Sequence, residues 1–228
     1  MRPLDYLKRL LHRRFVGLRL DSSPPTKLKA SQVKAADVLF CFGGKAHVPW
    51  QIISYGSSGP YVHVAICIKT NCVSEATTEG VCQSSLDDLI NRYQHVAVTR
   101  CRGIKGIPML SRKVTNYCRS HIQNSTKYDY IGAALSPLYE MVELSFSRAF
   151  LRLPNFRWPT SKNRTFCSQF VLQAFVEGGY FPSNYHALGA RSPTALAEDN
   201  CFELVGYLTR HKNLQSLLSK DIFWTGGG

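Results

Sequence analysis

The sequence predicts an α+β fold, and three observations predict it. Short apolar runs rich in β-branched residues crowd the first half of the chain. Helical periodicity dominates the second half, and strands followed by helices indicate α+β. An apolar fraction of 44% over 228 residues supplies a core for one domain, or one domain with a tail. Disorder and collagen-like repeats are excluded.

The elements follow in order. Residues 1–20 place Leu4, Leu7, Leu11, Phe15 and Leu18 at helical spacing, with Lys8, Arg9, Arg13 and Arg14 off that stripe. This is a basic amphipathic helix, docked on its own domain or lying on an anionic membrane surface. Charges interrupt its apolar runs and no cleavage site follows, so it is not a signal peptide. No stretch reaches the ~18 apolar residues of a spanning helix. With the linker after it, this segment makes up residues 1–28, and the folded domain is expected over 29–228. Ala36–Phe42 reads as a buried strand closed by Gly43-Gly44. Val62–Ile68 reads as a strand joined through the turn Lys69–Asn71 to another at Val73–Ala76, and Val96–Thr99 as a further short one. A helix near Ser85–Tyr93 is begun by Ser84 or Ser85, ahead of Asp87 and Asp88. Helices are then expected at Lys113–Ile122, at Ile131–Leu151 with an interruption at Pro137, and at Phe166–Val176. Thr165 would cap the last, and Gly178-Gly179 would end it.

The net charge is +13. Residues 1–20 carry +5 of it and residues 100–164 carry +9, a lopsided field that favours an anionic partner. The eight cysteines include several inside apolar runs, where a reduced thiol packs as a small core residue. There is no CxxC, and Cys67, Cys72 and Cys82 have no familiar metal-ligand spacing. The cysteines therefore read as reduced and the chain as cytoplasmic, with peripheral membrane attachment through residues 1–20 as its variant. No cofactor and no metal is expected.

A cysteine nucleophile needs thiolate character, which a helix N-terminus and a nearby histidine supply. Thr165-Phe166-Cys167-Ser168-Gln169-Phe170-Val171 puts Cys167 in the first turn of a helix anchored by Phe166, Phe170, Ala174 and Phe175. In the strand Val62–Ile68, the face of Val62, Val64, Ile66 and Ile68 should point into the core. His63, Ala65 and Cys67 then point to a cleft or a covered surface. Glu75 on the next strand can hold the imidazole if the register leaves it on the same face; a slip of one residue would turn it away. His47, His121 and His186 lack a partner pattern, and His12 and His211 read as solvated.

These residues carry a resemblance. Ala36–Gly43 (ADVLFCFG), Gly59–Ile68 (GPYVHVAICI), Ser74–Val81 (SEATTEGV), Lys127–Gly132 (KYDYIG), Thr165–Gly179 (TFCSQFVLQAFVEGG) and Ser192–Gly206 (SPTALAEDNCFELVG) occur in an order that resembles the YiiX/YebB-like group of the NlpC-type cysteine hydrolase superfamily. The resemblance spans about residues 31–206. It implies a circularly permuted papain-like fold, a small antiparallel sheet or barrel with helices packed on it, in which His63 precedes Cys167. It implies Cys167 as nucleophile, His63 as general base, Glu75 as the group that orients it, and Tyr128 lining the site beside an oxyanion held by the Cys167 N–H. Asp37 matches an acid at the start of a strand, with a structural role. A long basic insertion, Leu135–Arg164, departs from the pattern and leaves the substrate open.

The function so read is acyl transfer: hydrolysis of an amide or ester bond in a peptide, acylated or lipid substrate through an acyl-thioester. The alternatives are a non-enzymatic module binding an anionic membrane or nucleic acid, and an inactive scaffold on the same fold. No nucleic-acid motif appears, which counts against that partner.

Overall fold

The structure, a computed structural model, describes residues 26–43, 61–102, 104, 106–107, 109–133, 163–182, 192–197, 201–214 and 218. The strands are β1 (Val38–Phe42), β2 (Tyr61–Lys69), β3 (Cys72–Thr77), β4 (Gly80–Ser85), β5 (His95–Cys101), β6 (Lys127–Tyr128), β7 (Arg164–Thr165) and β8 (Phe202–Leu208). The helices are α1 (Leu86–Arg92), α2 (Leu110–Gln123), α3 (Cys167–Glu177) and α4 (Pro193–Ala197). Six strands form one antiparallel sheet in the order β4-β3-β2-β1-β5-β8, and β6 and β7 form a separate parallel pair. The α+β class read from the sequence is the class observed.

Both faces of the sheet are covered, which explains why β1 reads as a continuous apolar run. On one face Phe40, Val64, Ile66 and Phe202 pack against Val114 and Cys118 of α2, Phe170 and Phe175 of α3, and Leu196 of α4. On the other, Leu39, Cys41, Ala65, Val73 and Val98 pack against Leu28, Val33, and Leu86 and Leu89 of α1. At about 1.5–3 kcal/mol per fully buried large apolar side chain, these layers fix α1 and α3 against the sheet between them.

Val62 departs from the expected alternation. Cys41 pairs with His63 but Phe42 pairs with Tyr61, so Val62 is an extra residue on β2. Tyr61 consequently joins the face of Val64 and Ile66, whereas Val62 joins that of Ala65 and Cys67. Such a bulge re-aims neighbouring side chains, and His63 is its neighbour.

Helix α1 starts as the sequence indicates. The Ser85 hydroxyl accepts the Asp88 N–H at 3.0 Å, and Asp87 and Asp88 occupy the positive end of the helix. Strands β4 and β8 are not legible in the sequence, and both are outer strands of the sheet. Residues 26–28 are tied to β8. Leu28 is buried, its N–H donates to Tyr207 O at 2.8 Å, and the Tyr207 N–H donates to Thr26 O, so 26–28 already belong to the folded body. Gly206, at φ +155, allows that approach, because a Cβ there would lie 2.6 Å from Thr26 O. The helix expected at 1–20, most of that at 131–151 and the basic insertion up to residue 162 lie outside the described residues.

Candidate active site

Cys167 is the first residue of α3, and the expected N-cap moves by one residue. Phe166, whose ring has no hydrogen-bonding group, occupies the cap, and Thr165 lies on β7, in register with Tyr128 of β6. The first intrahelical bond runs from Phe170 N–H to Phe166 O at 2.8 Å. The positive end of the helix therefore lies beside a buried thiol, with no hydrogen bond from the Phe166 side chain at the cap. Phe170, Val171 and Phe175 anchor the helix in the core.

His63 lies across from that helix end. The Cys167 thiol is close enough to its ring to raise the imidazole pKa, while its Nε2 lies 2.8 Å from Glu75 Oε2. The structure supplies the register that the sequence leaves open. Glu75 pairs with Ala65, two residues along β2 from His63, so both side chains stand on one face and meet diagonally. His63 and Glu75 are almost fully buried. Burial alone would lower the histidine pKa, but the hydrogen bonds to Cys167 and Glu75 and their charges outweigh it and raise it to about 9. Burial would raise the Glu75 carboxyl, and His63, Arg92 and Ser84 instead hold it down at about 2. Both shifts favour an imidazolium facing a carboxylate.

Three residues that sequence reading misses complete the surroundings. Glu75 Oε1 accepts from the Ser84 hydroxyl and from Arg92 Nη2. The Tyr93 ring lies parallel to the imidazole, with centroids 5.9 Å apart and planes 9° apart, and the Arg92 guanidinium lies over the Tyr93 ring. Cys82 pairs with Glu75, and Ser84 is two residues farther along β4 on the same face.

Tyr128 is buried, and its strand partner Thr165 lies two residues before Cys167. Burial, and then the proximity of Cys167, raises the Tyr128 hydroxyl far above its ordinary value, so it keeps its proton as a donor. The remaining residues are accounted for by packing. Asp37 closes the turn before β1 by accepting the Lys34 N–H at 2.8 Å, and it holds Arg100 through bonds of 2.7 Å from Nε and Nη2, the structural role expected of it. The half-buried His121 packs on Tyr117, and burial lowers its pKa. All eight cysteines are free thiols. Burial pushes Cys67 and Cys118 up to about 12, and Cys41, Cys72 and Cys82 upward as well. Cys67 and Cys72 belong to opposite faces of the sheet, and among the described residues no group of three or more His, Cys, Asp or Glu is placed to hold a metal ion.

What these features define is a class: an α+β domain with a thiol at a helix N-terminus joined to a buried His–Glu pair. No protein-family model matches the chain, and no curated protein matches it in sequence. Among solved structures it is similar to that of "metalloprotein yiiX" from Escherichia coli O157:H7, at 14% identity and a TM-score of 0.49, over 77% of this chain and 97% of that one. Likeness at that level says nothing of activity. No helix among the described residues is long and apolar enough to cross a membrane.

Proposed function

We propose that this chain is a cysteine hydrolase with a permuted papain-like fold of the NlpC type, cleaving an amide or ester bond in a peptide, acylated or lipid substrate. The reading rests on one observation above the others: the buried group of Cys167, His63 and Glu75 at a helix N-terminus. The order of the residues agrees with permutation, since the histidine strand precedes the nucleophile helix.

The chemistry follows from the groups in place. The Cys167 sulfur, its proton held on His63, attacks the carbonyl carbon, and the carbonyl electron pair moves onto oxygen. The Cys167 N–H and the Tyr128 hydroxyl are the donors available to that oxyanion. Collapse re-forms the carbonyl and breaks the bond to the amine or alcohol, which leaves with the His63 proton, and a thioester remains. His63 then takes a proton from water as that water attacks the thioester. A carboxylic acid leaves, and the thiol and the imidazole are restored. Glu75 holds the ring in the tautomer these transfers need, and it stays ionised throughout.

p-Nitrophenyl acetate tests the proposal without presuming the natural substrate. The expected result is a burst of one nitrophenolate per chain, with an acetyl group recovered on the Cys167 peptide. Cys167→Ala should abolish the burst. A burst that survives in this variant, or an acetyl group spread evenly over the cysteines, would overturn the reading. A panel of acyl amides, acyl esters and short peptides then defines the substrate class. The anion-binding alternative loses one cation of its basic stretch, because Arg100 is committed to the buried Asp37.

A further inference from the structure

We infer that Arg92 is a positioning residue of this site, pinning the Glu75 carboxylate together with Ser84 so that one oxygen alone is left for His63. The inference rests on the proposed roles of Cys167, His63 and Glu75. A carboxylate that only had to accept one hydrogen bond from a histidine could rotate between its two oxygens. Here Oε1 takes both Arg92 Nη2 and the Ser84 hydroxyl, and Oε2 takes His63 Nε2 at 2.8 Å. The carboxylate is thereby saturated on one side and aimed on the other.

The placement is not that of a surface ion pair. Arg92 is 38% exposed but its partner is 1% exposed, so a cation anchored at the rim reaches inward to a buried anion. Arg92 closes the last turn of α1, and its guanidinium carbon lies 5.7 Å from the centre of the Tyr93 ring, the ring stacked on His63. Helix α1 therefore governs two degrees of freedom of the imidazole. Tyr93 limits the tilt of the ring, and Arg92, acting through Glu75, limits its rotation. The titratable groups facing this centre are Cys41 of β1, His63 of β2, Cys82 of β4, Tyr93 and Tyr128, besides Glu75, Arg92 and Cys167. Arg92 is the permanent cation among them, and it offsets the charge of Glu75.

Removing Arg92 frees the carboxylate to turn and leaves the negative charge of Glu75 without its cation. Both effects disfavour the thiolate, so they have the same sign. The test is the rate of Cys167 alkylation by iodoacetamide against pH, resolved by peptide mass, in wild type, Arg92→Gln, Arg92→Lys and Ser84→Ala. In Arg92→Gln the acid limb of the profile should move up by about one pH unit. Arg92→Lys, which keeps the charge but not the planar fork, should recover part of the shift. Ser84→Ala should move the limb in the same direction by less. A purely structural role would lower the melting temperature and leave the limb where it is. Wild-type profiles in the variants overturn the role of Arg92, whereas a wild type with no acid limb at Cys167 overturns the catalytic reading beneath it. Should Arg92→Gln fail to fold, Arg92→Lys and Ser84→Ala still decide the question, since each has its own expected shift.

Discussion

Replacing Glu75 with Gln removes one negative charge from a buried site and keeps the shape of the side chain. The size of the effect follows from the partners. His63, Arg92 and Ser84 all donate to a carboxylate that is 1% exposed, and together they hold its pKa at about 2 instead of the ordinary 4.5. At about 1.4 kcal/mol per pKa unit, this difference corresponds to about 3 kcal/mol of folding stability at neutral pH. The raised histidine reports partly the same interaction and is not added to it. For a chain of this length, a loss of about 3 kcal/mol lowers the melting temperature by about 6–12 °C. The pH dependence carries a sign of its own. A depressed carboxyl stabilises the fold above 4.5, and that contribution drains away as the pH falls through about 2. A raised histidine stabilises it below 6.5, and that contribution is lost as the pH rises through about 9. The wild type should thus be most stable between about pH 4.5 and 6.5 as far as this pair decides, with a decline on each side. Urea denaturation of wild type and Glu75→Gln across this range measures it. The gap between the two should be widest on the plateau and narrow toward pH 2. A gap of the same size at every pH, or no gap at pH 6, would refute the ion-pair account of Glu75.

Two further outcomes follow from other contacts. In Cys167→Ala the thiol that helps hold the imidazole protonated is gone, so His63, followed by NMR, should titrate below the value of about 9, with Glu75 alone keeping it above 6.5; an unchanged titration would mean that the thiol does not touch the ring. Arg100→Ala leaves Asp37 fully buried without its cation and should cost about 3–5 kcal/mol by denaturation, with burst activity retained per folded molecule; a change below about 1 kcal/mol would place Arg100 among ordinary surface pairs.

How much of this is legible in the sequence depends on whether the information is local. The turn Lys69–Asn71, the cap of α1 by Ser85 and the strand of His63 are readable, because each is written in neighbouring residues. β4 and β8 are not. Gly80, Ser84 and Ser85 give β4 little strand propensity, and Gly206 interrupts β8. These segments become strands by pairing with β3 and β5, so the sheet edges are decided by tertiary context. The bulge at Val62 is hidden for a related reason: it appears only against β1, as a partner left without an opposite number. At the site, Cys167, His63 and Glu75 can be named from helix position, alternation and resemblance. Arg92 and Ser84 cannot, because their link to Glu75 requires knowing that the end of α1 returns over β3 and that β4 pairs in its observed register. Thr165 reads as a cap from its neighbours alone because strand β7 is only two residues long and is defined by Tyr128 alongside it.

The central claim is that His63 makes Cys167 a reactive thiol among eight. Its most direct test is the alkylation rate of every cysteine by dilute iodoacetamide against pH, in wild type and His63→Ala. The account predicts that Cys167 outpaces the others below pH 7, since burial raises the thiols of Cys41, Cys67, Cys72, Cys82 and Cys118, and that His63→Ala erases this lead. If Cys167 reacts no faster than those buried thiols, or keeps its lead without His63, the pair is not a catalytic one.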